Sequence, residues 1–471
     1  MLLLTPASQA QWQADVRMTN DPGTSFTAGT STSSIASNGS FVHVVWWDNR
    51  NTDWEIYYKR STDNGTSWSS DIRLTNVAGN SYVPTVAVSG SVVHVVWQDQ
   101  RDGNREIYYK RSTDGGVTWG SDTRLTNDPA TSESPSVAVS GQTIHIAWYD
   151  RRDGDEEEYY KRSTDGGVSW EADTRLTDDP ISTWDPSISV SGQVVHVVWQ
   201  DSRSGPNKVG YRRSTDGGAN WNTDTVLGNR PGGTYSPCIS ASGQTLIVVW
   251  EDHSTFNSEV YYKRSTDGGV SWGGDIRLTN DTATSGYPYV CVSGQYVHVA
   301  YWDNRDGNFE IYYNQSTDGG ITWTSDTRLT NSPGSSEAAT ISTSGSIVHV
   351  AWYDGRDGNW EIYYKRNPTG NPVGITKNNS GIPEEFSLGQ NYPNPFNPET
   401  NFKFSLPKSS WVSIKIYDIT GRVVDIIANN ELRSAGVYEV NYNASGLSSG
   451  VYFYTVRAGE YSETKKMVLT K

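Results

Sequence analysis

The sequence predicts an all-β protein whose larger part is a seven-bladed β-propeller, and two observations lead to this fold. The motif Ser-x-Asp-x-Gly-x-x-Trp occurs six times at a fixed interval of 51 residues, starting at Ser61, Ser112, Ser163, Ser214, Ser265 and Ser316. Each interval holds four short β-rich runs, separated by Ser-Gly, Asp-Gly and Gly-Gly turns. A repeat of this length with four strands is typical of one propeller blade.

The second of the four predicted strands, called A to D in chain order, supports radial stacking. In residues 93–97 it is apolar almost throughout, without the alternation of a half-exposed strand. Continuous apolar strands are typical of sheets that are covered on both faces. The blades of a propeller cover one another in this way.

The number of blades follows from counting each strand separately. The strand B pattern occurs seven times, around Val42, Val93, Ile144, Val195, Leu246, Val297 and Val348, whereas the turn motif occurs only six times. A seventh copy of strand D lies at the N-terminus, in residues 15–20. We therefore predict that this N-terminal strand completes the last blade, which removes a free sheet edge and ties down the chain ends.

The repeated turn has a structural explanation. Its aspartate accepts backbone N–H groups a few residues on, its glycine supplies positive φ, and its tryptophan covers the blade edge. The motif resembles the Asp-box, or BNR, repeat of sialidases and related propellers over residues 15–367. That resemblance implies that the turns lie away from the active-site side. We expect structural roles for Asp63, Asp114, Asp165, Asp216, Asp267 and Asp318.

The same resemblance defines what a catalytic sialidase would need: an arginine triad, a Tyr–Glu nucleophile pair, an acid/base aspartate and an Arg-Ile-Pro segment near the start. The sequence contains no Arg-Ile-Pro, and its arginines belong to the repeat. This argues against sialidase activity, and no catalytic residue is assigned.

Two rings of repeated residues are candidates for chemistry. Strand B carries histidine in six blades, at His43, His94, His145, His196, His298 and His349, but Ile247 in the fifth. A ligand position does not tolerate isoleucine, so we interpret these histidines as packed core and expect no metal. Asp48 with Arg50, and its equivalents, form carboxylate–guanidinium pairs after strand B. They suit polar or anionic sugars, but their recurrence favours ion pairs that brace turns. We expect no cofactor; calcium at the Asp-Gly-Asn turns is the alternative, disfavoured by the adjacent arginines.

The candidate binding residues are those that break the repeat. The residue before strand A changes from blade to blade and is often aromatic: Ser31, Tyr82, Glu133, Trp184, Tyr235, Gly286 and Glu337. The fourth and fifth blades also carry unusual polar residues. Variation on a regular scaffold is what a binding rim needs. We therefore predict ligand contacts at Tyr82, Trp184, Lys208, Arg230, Tyr235, Glu251, His253 and Tyr287.

The C-terminal part has a different character. Residues 368–385 are rich in Pro and Gly and are predicted to be a linker. Short alternating runs at 402–406, 412–417, 437–442, 451–456 and 463–469 predict a small Ig-like β-sandwich in residues 386–471. Residues 391–400, 417–422, 450–454 and 465–469 resemble the C-terminal sorting domain of the type IX secretion system. The resemblance implies export to the outer surface of a Gram-negative-type bacterium, with the secretion machinery as a partner.

Composition narrows the partners further. The net charge of −15 argues against nucleic acid and against anionic lipid as binding partners. No apolar run approaches the about 20 residues of a transmembrane helix. Residues 1–10 are interpreted as the remnant of a signal peptide, and the propeller as residues 11–367. Cys238 and Cys291 lie in equivalent segments of neighbouring blades, and a bridge between them is left open.

The predicted function is a secreted or surface-displayed propeller that binds a glycan or another extracellular polymer without catalysis. Two alternatives remain at this point. One is a sialidase-like exo-glycosidase or other carbohydrate-active enzyme, and the other is a surface adhesin that binds protein. A pair of carboxylates in a pocket would favour the enzyme. An aromatic platform without such a pair would favour glycan binding, and a large flat apolar patch would favour the adhesin.

Overall fold

The computed structural model describes residues 12–470 except 30, 179–181, 204, 229, 255–256, 346, 369, 371–374, 379–382, 398, 434 and 445–446. The predicted signal-peptide remnant, residues 1–10, lies outside the described part. The described chain contains strands and turns but no helix, and therefore no helix that could cross a membrane. It forms two compact units, the first built from Trp12–Thr343 and Val348–Asn367, the second mainly from Pro368–Lys471.

The first unit contains seven antiparallel sheets, which we number as blades 1 to 7 in chain order. Strand β1 (Val16–Arg17) joins the last of them. Blade 1 contains β2 (Ser25–Phe26), β3 (Ile35–Asn38), β4 (Phe41–Asn51), β5 (Asp53–Ser61) and β6 (Ile72–Arg73). Blade 2 contains β7 (Ser81–Ser89), β8 (Val92–Asp99), β9 (Glu106–Ser112) and β10 (Thr123–Arg124), and blade 3 contains β11 (Ser132–Ser140), β12 (Thr143–Asp150), β13 (Glu157–Ser163) and β14 (Thr174–Arg175).

The remaining blades repeat this order. Blade 4 contains β15 (Thr183–Ser191), β16 (Val194–Asp201), β17 (Lys208–Ser214) and β18 (Thr225–Gly228). Blade 5 contains β19 (Thr234–Ser242), β20 (Thr245–Asp252), β21 (Glu259–Ser265) and β22 (Ile276–Arg277). Blade 6 contains β23 (Ser285–Ser293), β24 (Tyr296–Asp303), β25 (Glu310–Ser316) and β26 (Thr327–Arg328), and blade 7 contains β27 (Ser336–Ser344), β28 (Ile347–Asp354) and β29 (Glu361–Asn367).

The N-terminal strand completes the last blade as predicted. Val16 pairs with Tyr364 and Arg17 with Tyr363, so β1 is the fourth strand of blade 7. One hydrophobic cluster packs between blades 7 and 1, with Met18, Ala351 and Ile362 against Val42 and Trp46. Equivalent clusters fill the other six interfaces. The second strand of each blade is buried on both faces, which explains its apolar sequence.

The innermost strands face one another around the central channel. Serine hydroxyls of one inner strand accept hydrogen bonds from the backbone of the next. Ile188 N donates to Ser136 Oγ at 3.3 Å, and Ile239 N donates to Ser187 Oγ at 3.2 Å. Blade 1 departs from the repeat here, because residues 27–33 replace the two-residue bulge that interrupts this strand elsewhere. Ser31 and Thr32 in this longer loop are buried, and Ser31 Oγ reaches the carbonyl of Pro237 in blade 5 at 2.8 Å. The loop therefore lies within the channel.

The Asp-box turns follow the predicted geometry. Ser163 Oγ lies 2.8 Å from Asp165 Oδ1, which accepts the backbone N–H groups of Val168 and Ser169. The glycine of the motif packs against the preceding blade: a Cβ on Gly116, at φ 82°, would lie 1.9 Å from the Tyr58 hydroxyl. The motif tryptophan also contacts that tyrosine, with the Trp119 and Tyr58 rings 4.9 Å apart. Each turn thus joins two blades.

The second unit is a sandwich of two antiparallel four-stranded sheets. The first contains β30 (Ile375–Asn378), β31 (Ser387–Leu388), β32 (Glu399–Leu406) and β35 (Gly436–Asn443). The second contains β33 (Ser410–Asp418), β34 (Val423–Arg433), β36 (Gly450–Ala458) and β37 (Tyr461–Leu469). Their inner faces form one core that includes Phe404, Ile414, Val440 and Tyr454.

The linker prediction was wrong in one stretch. Strand β30 lies inside the predicted linker, residues 368–385, and pairs with β35, Ile375 opposite Val440. The flanking Pro and Gly residues suggested a linker, but a four-residue strand gives little sequence signal and forms by pairing with a longer neighbour. The sandwich therefore begins before residue 386.

Candidate functional site

The pairs of aspartate and arginine that follow the second strand brace the turns. Arg101 Nη2 lies 2.6 Å from Asp99 Oδ2, and its Nη1 lies 2.7 Å from Asp122 Oδ2. The guanidinium also stacks 4.3 Å above the Tyr108 ring. Burial lowers the pKa of Arg101, but the hydrogen bonds that its guanidinium donates to the two carboxylates raise the pKa by more, so the net shift is upward. Such satisfied arginines are structural, as their recurrence predicted.

Blade 5 lacks this arginine and replaces it from another loop. Ser254 stands at the arginine position, and Arg230 takes over the contacts, with its guanidinium 4.2 Å above the Tyr261 ring. Arg230 Nε also lies 3.0 Å from Asp252 Oδ2. The structure therefore gives the predicted site residue Arg230 a bracing role.

The repeated histidines are core residues. In all six blades that carry one, the ring lies beside a buried tyrosine; His145 Nδ1, for example, is 2.7 Å from the Tyr160 hydroxyl. Burial lowers the pKa of His145 to about 4, with a smaller effect from Arg162. All six rings are packed in the blade core, which confirms the core interpretation.

Four of the irregular residues meet at the mouth of the channel, at the blade ends opposite the Asp-box turns. Here the inner strands carry a bulge whose first residue has positive φ, at Val83, Ser134, Asp185, Ser236, Tyr287 and Ala338, with φ between 48° and 54°. This conformation is unfavourable for residues with a side chain. Strained backbone of this kind concentrates at functional sites. The strain is repeated around the mouth of the channel.

A pocket of about 470 Å³ opens at this mouth. Among the described residues, its lining consists of Gly29, Val83, Ser134, Asp185, Gln200, Tyr235, Ser236, Glu251, His253 and Tyr287. Five of them are the positive-φ residues of blades 2 to 6, and Gly29 comes from the loop of blade 1 that lies within the channel. We call this the mouth pocket. Its volume falls in the range of pockets that hold small ligands.

One side of the mouth pocket is a connected polar group. His253 Nε2 lies 2.6 Å from Glu251 Oε1, and Glu251 Oε2 accepts the backbone N–H of Tyr287 at 3.3 Å. The ring of Tyr235 packs 4.4 Å from that of His253. The hydrogen bond to Glu251 raises the pKa of His253 despite partial burial. The His253 side chain is 41% exposed and therefore available to a ligand.

The structure brings four of the eight predicted residues together. Tyr235, Glu251, His253 and Tyr287 line the mouth pocket. Tyr82 lines a neighbouring pocket with Trp47 and Trp54. The other three lie elsewhere. Trp184 is hydrogen-bonded to Glu156, Lys208 is the first residue of β17 and pairs with Asp201, and Arg230 forms an ion pair with Asp252 in blade 5. Cys238 and Cys291 are both free thiols.

The sequence analysis missed Asp185, which lines the mouth pocket, and the buried Glu158. Asp185 lies one residue after Trp184, the variable residue before strand A, and is the first residue of the bulge. Glu158 is completely buried where the other six blades carry isoleucine or valine. Burial, with the charges of Asp185 and Glu157 nearby, raises the pKa of Glu158 well above its usual range. Aligning the repeats would have shown that Glu158 breaks a regular isoleucine or valine position and that the position of Asp185 varies from blade to blade.

Two family models match the chain. Residues 80–299 match a BNR repeat-like domain, and residues 390–470 match a secretion system C-terminal sorting domain. The chain therefore combines a BNR-repeat propeller with a secretion sorting domain. That sorting domain is the signal of the type IX secretion system, so the protein is exported to the cell exterior or the outer surface of a Gram-negative-type bacterium.

Relatives of the propeller include carbohydrate-active enzymes. A sialidase of Paraclostridium sordellii is 27% identical over 257 residues, which cover 46% of this chain and 60% of that protein. The xyloglucanase Xgh74A of Acetivibrio thermocellus is 25% identical over 247 residues, 45% of this chain and 28% of that protein. The chain thus spans less than two thirds of either relative. The crystal structure of polysaccharide lyase Uly1 superposes with a TM-score of 0.53 and 10% identity, over 76% of this chain and 99% of that one, which shows a shared fold.

Proposed function

We propose that this exported propeller binds a neutral glycan in the mouth pocket and performs no chemistry on it. The observation that carries the proposal is the combination of aromatic faces and a few fixed polar groups in one concave site. Tyr287 is 41% exposed, and Tyr235 stands beside the Glu251–His253 pair. Rings that pack against sugar C–H faces, with hydrogen-bonding groups at their edges, are suited to saccharide recognition.

The charges of the mouth pocket favour a neutral sugar. Its described lining carries Asp185 and Glu251 as acids and contains neither arginine nor lysine. The arginines of the neighbouring turns are held by aspartates, as Arg101 is by Asp99 and Asp122. A sialic or uronic acid needs a cation for its carboxylate, and the net charge of −15 opposes its approach.

Glycoside hydrolysis is the second candidate, because two carboxylates, Asp185 and Glu251, line the same pocket. The contacts of Glu251 oppose it. One oxygen is bound to His253 and the other to the N–H of Tyr287, so the carboxylate acts in holding the wall of the pocket. A binding role requires no change in the contacts of Glu251 with His253 and Tyr287. Binding of a protein, as expected of an adhesin, is the remaining outcome that the experiment separates.

The proposal is tested by measuring binding and product release together on an array of neutral, amino and acidic glycans. We expect saturable binding to neutral or amino sugars, no turnover, and little binding to acidic ones. Tyr235→Ala should remove binding, whereas Val168→Ala, at an exposed residue on the Asp-box side, should not. Turnover of any glycan would favour the hydrolase, and the absence of binding to every glycan on the array would contradict the proposal.

A further inference from the structure

A second surface adjoins the mouth pocket, on blades 7, 1 and 2. Six aromatic side chains form it, and we call it the aromatic platform: Phe26, Trp47, Trp54, Tyr82, Tyr353 and Trp360. Blades 3 to 5 carry mostly polar residues at the equivalent positions, among them Glu133, Glu156, Gln200, Asn207 and Ser258. The repeat alone therefore does not require these rings.

The rings form one continuous layer. Trp47 lies 4.6 Å from Trp54 and 5.1 Å from both Phe26 and Tyr82, measured between ring centroids. Phe26 contacts Tyr353 at 5.0 Å, and Tyr353 contacts Trp360 at 5.0 Å. All six are only half-buried, whereas Trp46 and Trp97 in the blade core are fully buried. Large rings kept at the surface suit contact with a ligand.

The platform has a cavity and fixed polar edges. A cavity of about 380 Å³ is lined by Trp47, Trp54, Tyr82, Val83, Gln98 and Arg105. Arg105 is paired with Glu133, which cancels its charge. Gln98 Oε1 accepts the backbone N–H of Ser134 at 2.9 Å, which fixes this side chain. Flat apolar rings with neutral polar edges fit an uncharged pyranose.

Val83 lines both this cavity and the mouth pocket, so the two are adjacent, and we call them together the groove. We propose that the groove binds an internal stretch of a neutral polysaccharide, with successive sugar units in the mouth pocket and on the aromatic platform. This rests on the proposed glycan-binding function and specifies its ligand as a chain of several units. A site for a terminal sugar needs only the mouth pocket.

The test compares variants on oligosaccharides of increasing length. The probes are cello-oligosaccharides and xyloglucan oligosaccharides, from one sugar unit to long chains, titrated by calorimetry. Trp54→Ala removes the centre of the platform. Phe309→Ala is the matched control, because Phe309 holds the same repeat position in blade 6, where it contacts Trp302 at 4.4 Å. Thermal melting of both variants establishes that they are folded.

We expect the affinity of the wild-type protein to rise with chain length. Trp54→Ala should lower the affinity for long chains roughly tenfold or more, which is the loss typical of a truncated aromatic anchor. The affinity for the shortest bound ligand should be unchanged. Phe309→Ala should keep the length dependence. Affinity that is independent of length, or a Trp54→Ala variant that binds like the wild type, would overturn this inference and leave glycan binding intact. Failure of every oligosaccharide to bind would instead remove the proposed function. A protein ligand lost only in Trp54→Ala would assign the platform to protein binding.

Discussion

The guanidinium of Arg230 lies 4.2 Å above the Tyr261 ring, where five other blades place an arginine from their own turn. Blade 5 thus preserves a stacking contact although its sequence has lost the residue that normally makes it. The contact is conserved in space by a residue 24 positions before the expected one, Ser254.

Replacing Arg230 by alanine is predicted to cost about 2 kcal/mol of unfolding free energy, because it leaves the buried Asp252 without its cation. Ser254→Arg in the same variant should recover most of the loss, since it restores the arrangement of the other blades. Urea unfolding measures both. A stable Arg230→Ala variant that loses glycan binding would show that Arg230 belongs to the binding site instead.

Glu158 is predicted to destabilise the propeller in its ionised form. Burial raises the pKa of Glu158 above about 4.3, the ordinary value for glutamate. At pH values between these two pKa values, the folded state retains a proton that the unfolded chain releases. Stability should therefore fall as pH rises through this window.

Glu158→Ile, the residue of blades 1, 2, 6 and 7, should stabilise the fold by roughly 1 kcal/mol or more at neutral pH and remove that slope. Glu158→Gln is the control of similar shape without the titration. Unfolding free energies from urea titrations over a pH series provide the measurement. An unchanged slope in both variants would refute the assignment of the effect to Glu158.

The Asp-box aspartates should stabilise the propeller above their unfolded pKa. Hydrogen bonds from Asn220 and Ser214 lower the pKa of Asp216 to about 2. A lowered acid pKa contributes stability that is present above about pH 3.9 and is lost as pH falls through about 2.

Asp216→Asn should consequently lower the melting temperature at neutral pH and make it less sensitive to acid in this range. Differential scanning calorimetry at a series of acidic pH values measures the effect. Glycan binding by the folded variant should be unchanged, because these turns lie at the blade ends opposite the mouth pocket. A loss of binding without a loss of stability would contradict this assignment.

Most of the propeller was predictable because its signals are local and repeated. The fixed period located the strands and turns, and the count of strand D located the closing contact between Val16 and Tyr364. The sandwich strands at 402–406 and 463–469 were likewise recognised from alternation, whereas the short β30 depended on a partner far away in sequence.

The site was less predictable because it depends on exceptions to the repeat. The fixed period predicted Ser31 at the rim. Because the loop of blade 1 is longer, Phe26 occupies that position, opposite Trp47, and Ser31 lies within the channel. Trp184, Lys208 and Arg230 are equally irregular in sequence, yet they lie outside the mouth pocket. Irregularity alone does not tell a binding residue from a compensating one such as Arg230; that distinction requires the contacts.

The most direct test of the central claim is the NMR spectrum of the His253 ring during titration with the neutral oligosaccharide that binds best on the array. His253 is exposed in the mouth pocket, and its pKa is raised by Glu251. The six strand B histidines are buried, and burial lowers the pKa of five of them, His43, His94, His145, His196 and His349. We predict that its resonances shift with saturation while those of the buried histidines stay in place. Glu251→Gln should lower the pKa of His253 and weaken binding. Saturable binding that leaves the His253 resonances unmoved would contradict the assignment of the mouth pocket as the glycan site.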